Sequence, residues 1–401
     1  MNFCFSQEQV QLKAMFMNFV DRQVIPYTAE YDRKEAPKDC VPWPIIKEAM
    51  KLGIGGAGVP EEFGGNELSN FEILTMMEEL ARGDSGLAYT ILSMITGAKL
   101  LTTFGTDEQK NKWLPKIADT QADPFLIGLA ISEPQSGCDN MSPDPKAGIL
   151  TTAELKGDQY IINGTKGFIT NAGIASLYFV WARTDKTKGA PQGGHSVFLV
   201  PADTPGLTVG KIEDKMGNRL SQQGELIFDN CIVSKENLLA EEGMGFPVIL
   251  KFVESRLPAV GAIGTGIAQA AFNVAYKYAK ERVQGGTQII HHQAIAHKLS
   301  NMVMMIESSR LLYQKAAANQ DVNAANILDA QISKVIGSET AVKVTNEAIQ
   351  IFGSYGYTKE YPIEKLLRDA RIFTICENGN EFIRNKIIER IQKIEEQSHN
   401  G

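Results

Sequence analysis

Residues Tyr160 to Thr170 read YIINGTKGFIT, two strand-like runs on either side of an Asn163-Gly164 pair. Asn-Gly is the dipeptide preferred in tight hairpin turns, and β-branched and aromatic residues favour strands. The stretch decides the fold because it opens a β region inside a chain whose spacing is otherwise helical. Strand character continues in SLYFVWART (176–184), HSVFLVP (195–201) and ELIFDNCIV (225–233). A middle β domain over residues 124–240, entered after Asp123-Pro124, is the expectation.

Upstream, over residues 1–123, apolar residues recur three and four apart, as in Val10, Met15, Phe19 and Val20, then Ile73, Met76, Met77 and Leu80. Gly and Pro clusters separate these runs, which implies an N-terminal helical domain. Downstream, over residues 241–401, the helical stripe Ile295, Leu299, Met302, Ile306 and the scarcity of Pro predict a helical bundle. Gly261, Gly264 and Gly266 would let a second backbone or a flat cofactor approach closely, with core helix packing the ordinary use. The tail EEQSHNG is expected to fray. The fold class is α+β, mainly α.

With 401 residues, 43% of them hydrophobic, the chain has material for two or three domains. A net charge of -7 without a Lys/Arg stripe argues against nucleic acid as a partner. Cys4, Cys40, Cys138, Cys231 and Cys376 show no metal spacing, and an odd number suits free thiols in a reducing compartment. The N-terminus lacks a basic leader followed by an apolar run, and no stretch approaches about 18 consecutive apolar residues, so a cytoplasmic protein without a membrane anchor is expected. His291, His292 and His297 have no acidic or cysteine partner at a ligand spacing, so no metal is expected.

Two features carry chemistry. Four loops, ISEPQSGCDN, GFITNAG, RVQGGTQ and QIFGSYGYT, offer backbone N–H groups to a phosphate or a planar ring, although ordinary turns use the same residues. None is a dinucleotide fingerprint or a P-loop. Secondly, Glu377 ends the otherwise apolar run ARIFTIC. A carboxylate removed from water suits the work of a base on a weakly acidic C–H. The plainer use of such an acid is at the start of the helix suggested by EFIRNKIIERI, against the positive end of the dipole.

FSQEQ, PEEFGG, FGTDEQKNKWLP, ISEPQSG, YIINGTKGFITNAG, KMGNR, the ER-Q-G segment, QIFGSYGYTKEYPIEKLLRDARI and ICENGNE together cover nearly the whole chain, which resembles the acyl-CoA dehydrogenase family of flavoproteins. The resemblance implies N-terminal helices, a β-barrel-like middle domain and a C-terminal four-helix bundle. It implies FAD as cofactor, an acyl-CoA thioester as substrate in carboxylic acid degradation, an electron-transfer flavoprotein as acceptor, and a homotetramer. Glu377 falls on the catalytic base, which removes the α proton while the β hydrogen leaves as hydride to the flavin.

By the same resemblance the loop from Leu129 to Cys138, with Ile131, Ser132 and Gly137, and then Phe168, Ile169 and Thr170 line the isoalloxazine. Arg282 meets the FAD pyrophosphate, a charge-assisted contact suited to a guanidinium, with Gln284 and Gln293 nearby. Gln350, Ile351, Phe352, Gly353 and Ser354 reach the FAD of a neighbouring subunit, and Gly379, Asn380 and Glu381 complete the cofactor set. Tyr89, Leu92, Cys138, Glu254, Ser255, Arg256 and Asn378 are the implied substrate contacts.

The chain departs from the family pattern in four places. E-G-T becomes Glu377-Asn378-Gly379, Q-F-G becomes Gln284-Gly285-Gly286, G-S-D becomes Gly137-Cys138-Asp139, and D-x-G-R becomes Val253-Glu254-Ser255-Arg256. Branched-chain relatives that carry the base on this last helix place it directly before the arginine, where Ser255 stands, so Glu254 is read as a surface or substrate-contact charge. The resemblance further implies that the helix reading GLAYTILSMITGAKLL shapes the acyl pocket, where Tyr89, Leu92 and Met94 would exclude charged acyl tails; Ala88 stands near where a glutaryl-specific relative would place an arginine, which disfavours a dicarboxylate. Straight, branched, alicyclic and aryl acyl groups stay open. The other readings are a non-catalytic binding partner of the same fold and an oxidase reacting with oxygen.

Overall fold

A computed structural model describes residues 5–322 and 326–399. The chain begins with α1 (Gln7–Phe19), which runs on through a π-helical turn, then α2 (Thr28–Asp32), α3 (Trp43–Lys51), α4 (Asn70–Gly83), α5 (Ser85–Phe104) and α6 (Asp107–Ala118). The starts of α1, α4 and α6 are written locally, as capping boxes of Ser6 with Gln9, Ser69 with Glu72, and Thr106 with Gln109. The buried part of α1 is Phe16 and Phe19, leading to Val20 and Val24, while Val10 and Met15 are exposed. Phe19 and Val20 of the expected stripe are thus in the core and its first half is not, although Lys13, midway along α1, still reaches Glu79 of α4 at 3.6 Å.

Eight strands follow: β1 (Ile127–Ala130), β2 (Thr152–Lys156), β3 (Gln159–Thr170), β4 (Leu177–Arg183), β5 (His195–Pro201), β6 (Leu207–Ile212), β7 (Gln223–Ser234) and β8 (Leu238–Leu239). They form one mixed sheet in the order β6-β7-β3-β2-β4-β5-β8, with β1 parallel to β4. Asn163-Gly164 is not a hairpin turn. Both residues lie inside β3, where the pairing with β7 slips between Ile162 and Gly164. Gly164 has φ +148, and a Cβ there would sit 2.5 Å from Thr151 Oγ1, so the glycine serves a bulge and a close approach.

The last region comprises α7 (Gly245–Glu281), a short hairpin of β9 (Val283–Gln284) and β10 (Thr287–Gln288), α8 (Gln293–Asp321), α9 (Ile327–Phe352), α10 (Ile363–Arg371) and α11 (Asn380–His399). The Gln284-Gly285-Gly286 departure has a local cause: Gly285 and Gly286 have φ +61 and +83, the pair of positive angles that a two-residue hairpin requires. On α7 the glycines serve helix packing and not a flat ligand. A Cβ on Gly261 would meet Ser333 Oγ at 2.3 Å, and one on Gly264 would meet Gly337 O at 2.4 Å. α7, α8 and α9 pack on one another and α11 lies against α9, but α4 also packs on α7 and α8. Arg310 of α8 binds Glu78 of α4 at 2.6 Å, tying the N-terminal helices into the bundle.

One apolar core runs through all three regions. α5 and α7 each contain a window apolar enough to cross a membrane, and 78% of each window is buried inside the protein, as in core helices. α11 continues through Glu395 and Glu396 to His399; Asn400, Gly401 and Cys4 lie outside the described residues.

Candidate active site

Two consecutive residues, Glu377 and Asn378, adopt left-handed backbone angles, φ 52 and 67, with no glycine between them. Such angles are costly for side-chain-bearing residues and concentrate at functional sites. The turn lies before α11, whose first-turn acid is Glu381. Glu377 therefore does not serve the helix dipole. Its carboxylate turns inward, with 9% of the side chain exposed.

Glu377 Oε1 accepts two hydrogen bonds, one from the Tyr89 hydroxyl and one from Arg256 Nε, each 2.6 Å long. Both donors are buried. The guanidinium also lies over the rings of Tyr89 and Phe252, at 4.7 and 5.3 Å. Burial, the largest single influence, acts to lower the Arg256 pKa, but the Glu377 charge, the Tyr89 hydroxyl and the hydrogen bonds to both together outweigh it, and the guanidinium is held above its usual value. Burial, and then the charges of Cys376 and Glu377, hold the Tyr89 hydroxyl well above the usual tyrosine range. Burial pushes the Cys376 thiol up to about 12. The site is thus a buried ion pair with a protonated tyrosine, and not the apolar setting that the sequence suggested.

Each donor is placed by its own helix. Asp84 caps α5 by accepting from Leu87 N at 2.9 Å, and its other oxygen meets Lys365 Nζ at 2.6 Å. Lys365 also binds Asp369, whose carboxylate accepts from Asn218 N, so KMGNR and EKLLRDARI meet in one buried network beneath Tyr89. On α7, Pro258 has no N–H to give the carbonyl of Glu254. Gln320 Nε2 supplies the missing bond at 2.8 Å, which secures the turn that carries Arg256.

These residues bound a cavity of about 330 Å³. Its sheet side is formed by Leu129, Ile131, Ser132, Gly137 and Cys138, and by Phe168, Ile169 and Thr170. Lys166 and Glu133, a fully buried ion pair of 2.8 Å, lock the first of these loops to β3, and Lys166 also donates to Ile131 O. Phe168 is held at φ +56 and is 63% exposed, a strained aromatic at the cavity wall. Asn140 also lines the cavity, and its Oδ1 is buried with no hydrogen-bond partner among the described residues. An open aromatic face and the hydroxyl-bearing residues Ser132 and Thr170 in the lining fit a planar, hydrogen-bonding ring system.

ISEPQSGCDN and GFITNAG thus share the first cavity. RVQGGTQ and QIFGSYGYT share another, of about 700 Å³, where Arg282 and Gln284 face Gln350, Ile351, Phe352, Gly353 and Ser354. Gln293 stands outside its lining, at the start of α8. Leu92 is buried but does not line the Glu377 cavity. Glu254 and Ser255 face a third space with Lys99 and Gln320. Gly379, Asn380 and Glu381 also lie outside the main lining, and Asn380 is spent on bonds within the protein. The sequence reading missed Ser93, Phe252 and Asn140 in the cavity, and Lys334 beneath it. A lysine in the small-residue stripe Ala330, Lys334, Gly337, Ala341 was the available signal for the last.

Three family models match consecutive parts of the chain: the acyl-CoA dehydrogenase N-terminal domain at residues 6–121, middle domain at 128–231 and C-terminal domain at 243–392. The chain is 36% identical over 385 residues to the short-chain specific acyl-CoA dehydrogenase of Clostridium acetobutylicum, covering 95% of this chain and 97% of that one. The solved butyryl-CoA dehydrogenase of Megasphaera elsdenii superposes with a TM-score of 0.91 at 36% identity, covering 98% of this chain and all of that one. A chain in a structure described as the electron transferring flavoprotein of Acidaminococcus fermentans gives the same TM-score and identity, covering 98% and 99%.

Proposed function

Since the chain belongs to the acyl-CoA dehydrogenase family and is an oxidoreductase acting on acyl-CoA, we propose that Glu377 is the base that removes the α proton of the thioester. The observation that carries this reading is the one-sided anchoring of the carboxylate. Tyr89 and Arg256 hold Oε1, and Oε2 makes no hydrogen bond among the described residues. The free oxygen is then available to a proton at the cavity, and the bound one fixes its aim.

FAD, when bound, supplies the two-electron acceptor for the β hydrogen. Leu129, Ser132, Gly137 and Thr170 would meet its ring, Arg282 its pyrophosphate, and Gln350 to Ser354 the FAD of a neighbouring copy, which makes a homotetramer the expected assembly. The family is one of flavoproteins, and the strained, exposed Phe168 in the cavity lining supports a ring beside the base. Ile249, Phe252 and Val253 give the α7 side of the cavity its apolar surface, suited to acyl and thioester carbons.

The acyl group we infer is short. Tyr89 and Arg256 help to line a cavity of only about 330 Å³, and similar proteins named above include short-chain and butyryl-CoA enzymes. The lining is not wholly apolar, since Arg256 contributes a charge, but Glu377 already balances it. Electrons would pass to an electron-transfer flavoprotein, the kind of protein in whose structure a similar chain occurs.

Bleaching of the bound flavin by a panel of acyl-CoA thioesters tests the reading. Rapid bleaching by butyryl-CoA and neglect of acyl chains of about twelve carbons or more is the expected result. Glu377→Gln should retain flavin and fold while losing turnover by several orders of magnitude. Near-normal bleaching by that variant would remove Glu377 from the role.

A further inference from the structure

The left-handed Glu377-Asn378 turn needs something to hold it, and the structure shows what does. Lys334, on α9, has no exposed surface. Its ammonium donates to the Asn378 carbonyl at 2.7 Å and to Asn380 Oδ1 at 2.6 Å, both neutral oxygens. Asn380, 2% exposed, donates in turn to Ser338 Oγ at 3.1 Å. Ser338 stands one turn beyond Lys334 on the same face of α9 and donates to Val335 O at 3.1 Å. α9 is itself pressed against α7 through Gly337 and Gly261, where a Cβ on either would meet backbone or Ser333 at 2.3 to 2.6 Å. A path of short contacts therefore runs from the helix that bears Arg256, through α9 and Lys334, to the turn that bears Glu377.

We propose that Lys334 is a positioning residue for α-proton removal: its ammonium clamps the Asn378 carbonyl and the Asn380 amide, and so keeps the Glu377 carboxylate aimed at the substrate carbon. The inference rests on Glu377 being the base. Among the described residues the ammonium is bonded only to neutral oxygens, which is costly for a buried charge, and core packing alone would be served by an apolar residue of that length. The charge faces the catalytic turn, where Cys376 and Glu377 are the leading groups that counter the effect of burial on Lys334. Clamping the carbonyl that follows Glu377 fixes both angles of the strained pair without a ligand from the substrate side.

The test uses the flavin-loaded enzyme and a short 3-thiaacyl-CoA, whose α carbon can lose a proton but which donates no hydride. The long-wavelength band of the deprotonated analogue over the flavin reports proton removal alone. Lys334→Met, which keeps the length and loses the charge, should bind the analogue within about threefold of the parent. It should deprotonate it roughly 100-fold more slowly, the penalty expected for a misplacement of about 1 Å. Lys334→Arg should recover part of that rate, and Asn380→Ala, which removes one of the two acceptors, should show a smaller loss of rate at unchanged affinity. Should Lys334→Met fail to fold, the Asn380→Ala result decides alone.

Parent-like deprotonation by Lys334→Met or, in its place, by Asn380→Ala overturns the proposal, as does a loss of rate that only follows a loss of affinity. Glu377→Gln run beside them separates the two claims. If it still deprotonates the analogue, the base is misassigned. If it does not, and Lys334→Met does, only the clamp is wrong.

Discussion

Arg256 Nε lies 2.6 Å from Oε1 of Glu377, across 121 residues of chain, in a setting where neither side chain is more than a tenth exposed. A buried pair of this kind adds little over an apolar pair of the same shape, but removing one partner strands the other charge. Arg256→Leu should therefore destabilise the protein by about 3–5 kcal/mol, measured by urea unfolding. The double variant Arg256→Leu, Glu377→Gln should regain a large part of that loss. A single variant as stable as the parent would show that the pair is open to water in solution.

Tyr89→Phe isolates the second donor to the same oxygen. The ring stays, with its edge contact to Phe373 at 5.9 Å, and only one hydrogen bond to a charged group is lost, worth about 1.5–3 kcal/mol. The folded hydroxyl is held well above the tyrosine value of 10.0, so its contribution to stability is fully present below that pH. It is lost as pH climbs through the raised folded value. Parent stability should fall above pH 10.0 more steeply than that of Tyr89→Phe, whereas the two should run parallel from pH 7 to 9 in unfolding titrations.

The order of helices, sheet and helices was legible in the sequence because each region carries its own period, and Ser6, Ser69 and Thr106 mark helix starts by local chemistry. Asn163-Gly164 misled because a dipeptide that favours a turn also tolerates a bulge, and only the pairing of β3 with β7 distinguishes them. Glu377 could be singled out, but its surroundings could not be read. Tyr89 and Arg256 reach it from α5 and α7 through tertiary contacts that leave no local trace, and Arg256 made an apparently apolar pocket charged. Lys334 was hidden for the opposite reason, since a single lysine in a helix reads as a solvated side chain until the packing of α9 buries it.

Lys166 and Glu133 connect the cavity's loop wall to the sheet, and their 2.8 Å contact is fully buried. Glu133 also accepts from Leu150 N and Thr151 N at 2.8 and 2.9 Å, so one carboxylate fastens three segments. Lys166→Met should cost about 3–5 kcal/mol and should release FAD more readily on dilution, because the loop from Ile131 to Cys138 loses its tether. Flavin fluorescence on dilution measures the second effect. Unchanged retention would mean that this loop does not hold the cofactor.

His195 makes acid stability a test of the sheet and not of the active site. Burial, and then the neighbouring charges of Arg183 and Lys166, push its imidazole down to about 4 from an ordinary 6.5. In the folded protein it stays neutral between those values, and in the unfolded chain it takes up a proton. Its contribution is therefore fully present above pH 6.5 and drains away as pH falls through about 4. A span of about two and a half units corresponds to roughly 3 kcal/mol. His195→Gln, which cannot titrate, should flatten this part of the stability profile even if it lowers the whole curve. Two profiles with the same slope between pH 6.5 and 4 would locate the acid sensitivity elsewhere.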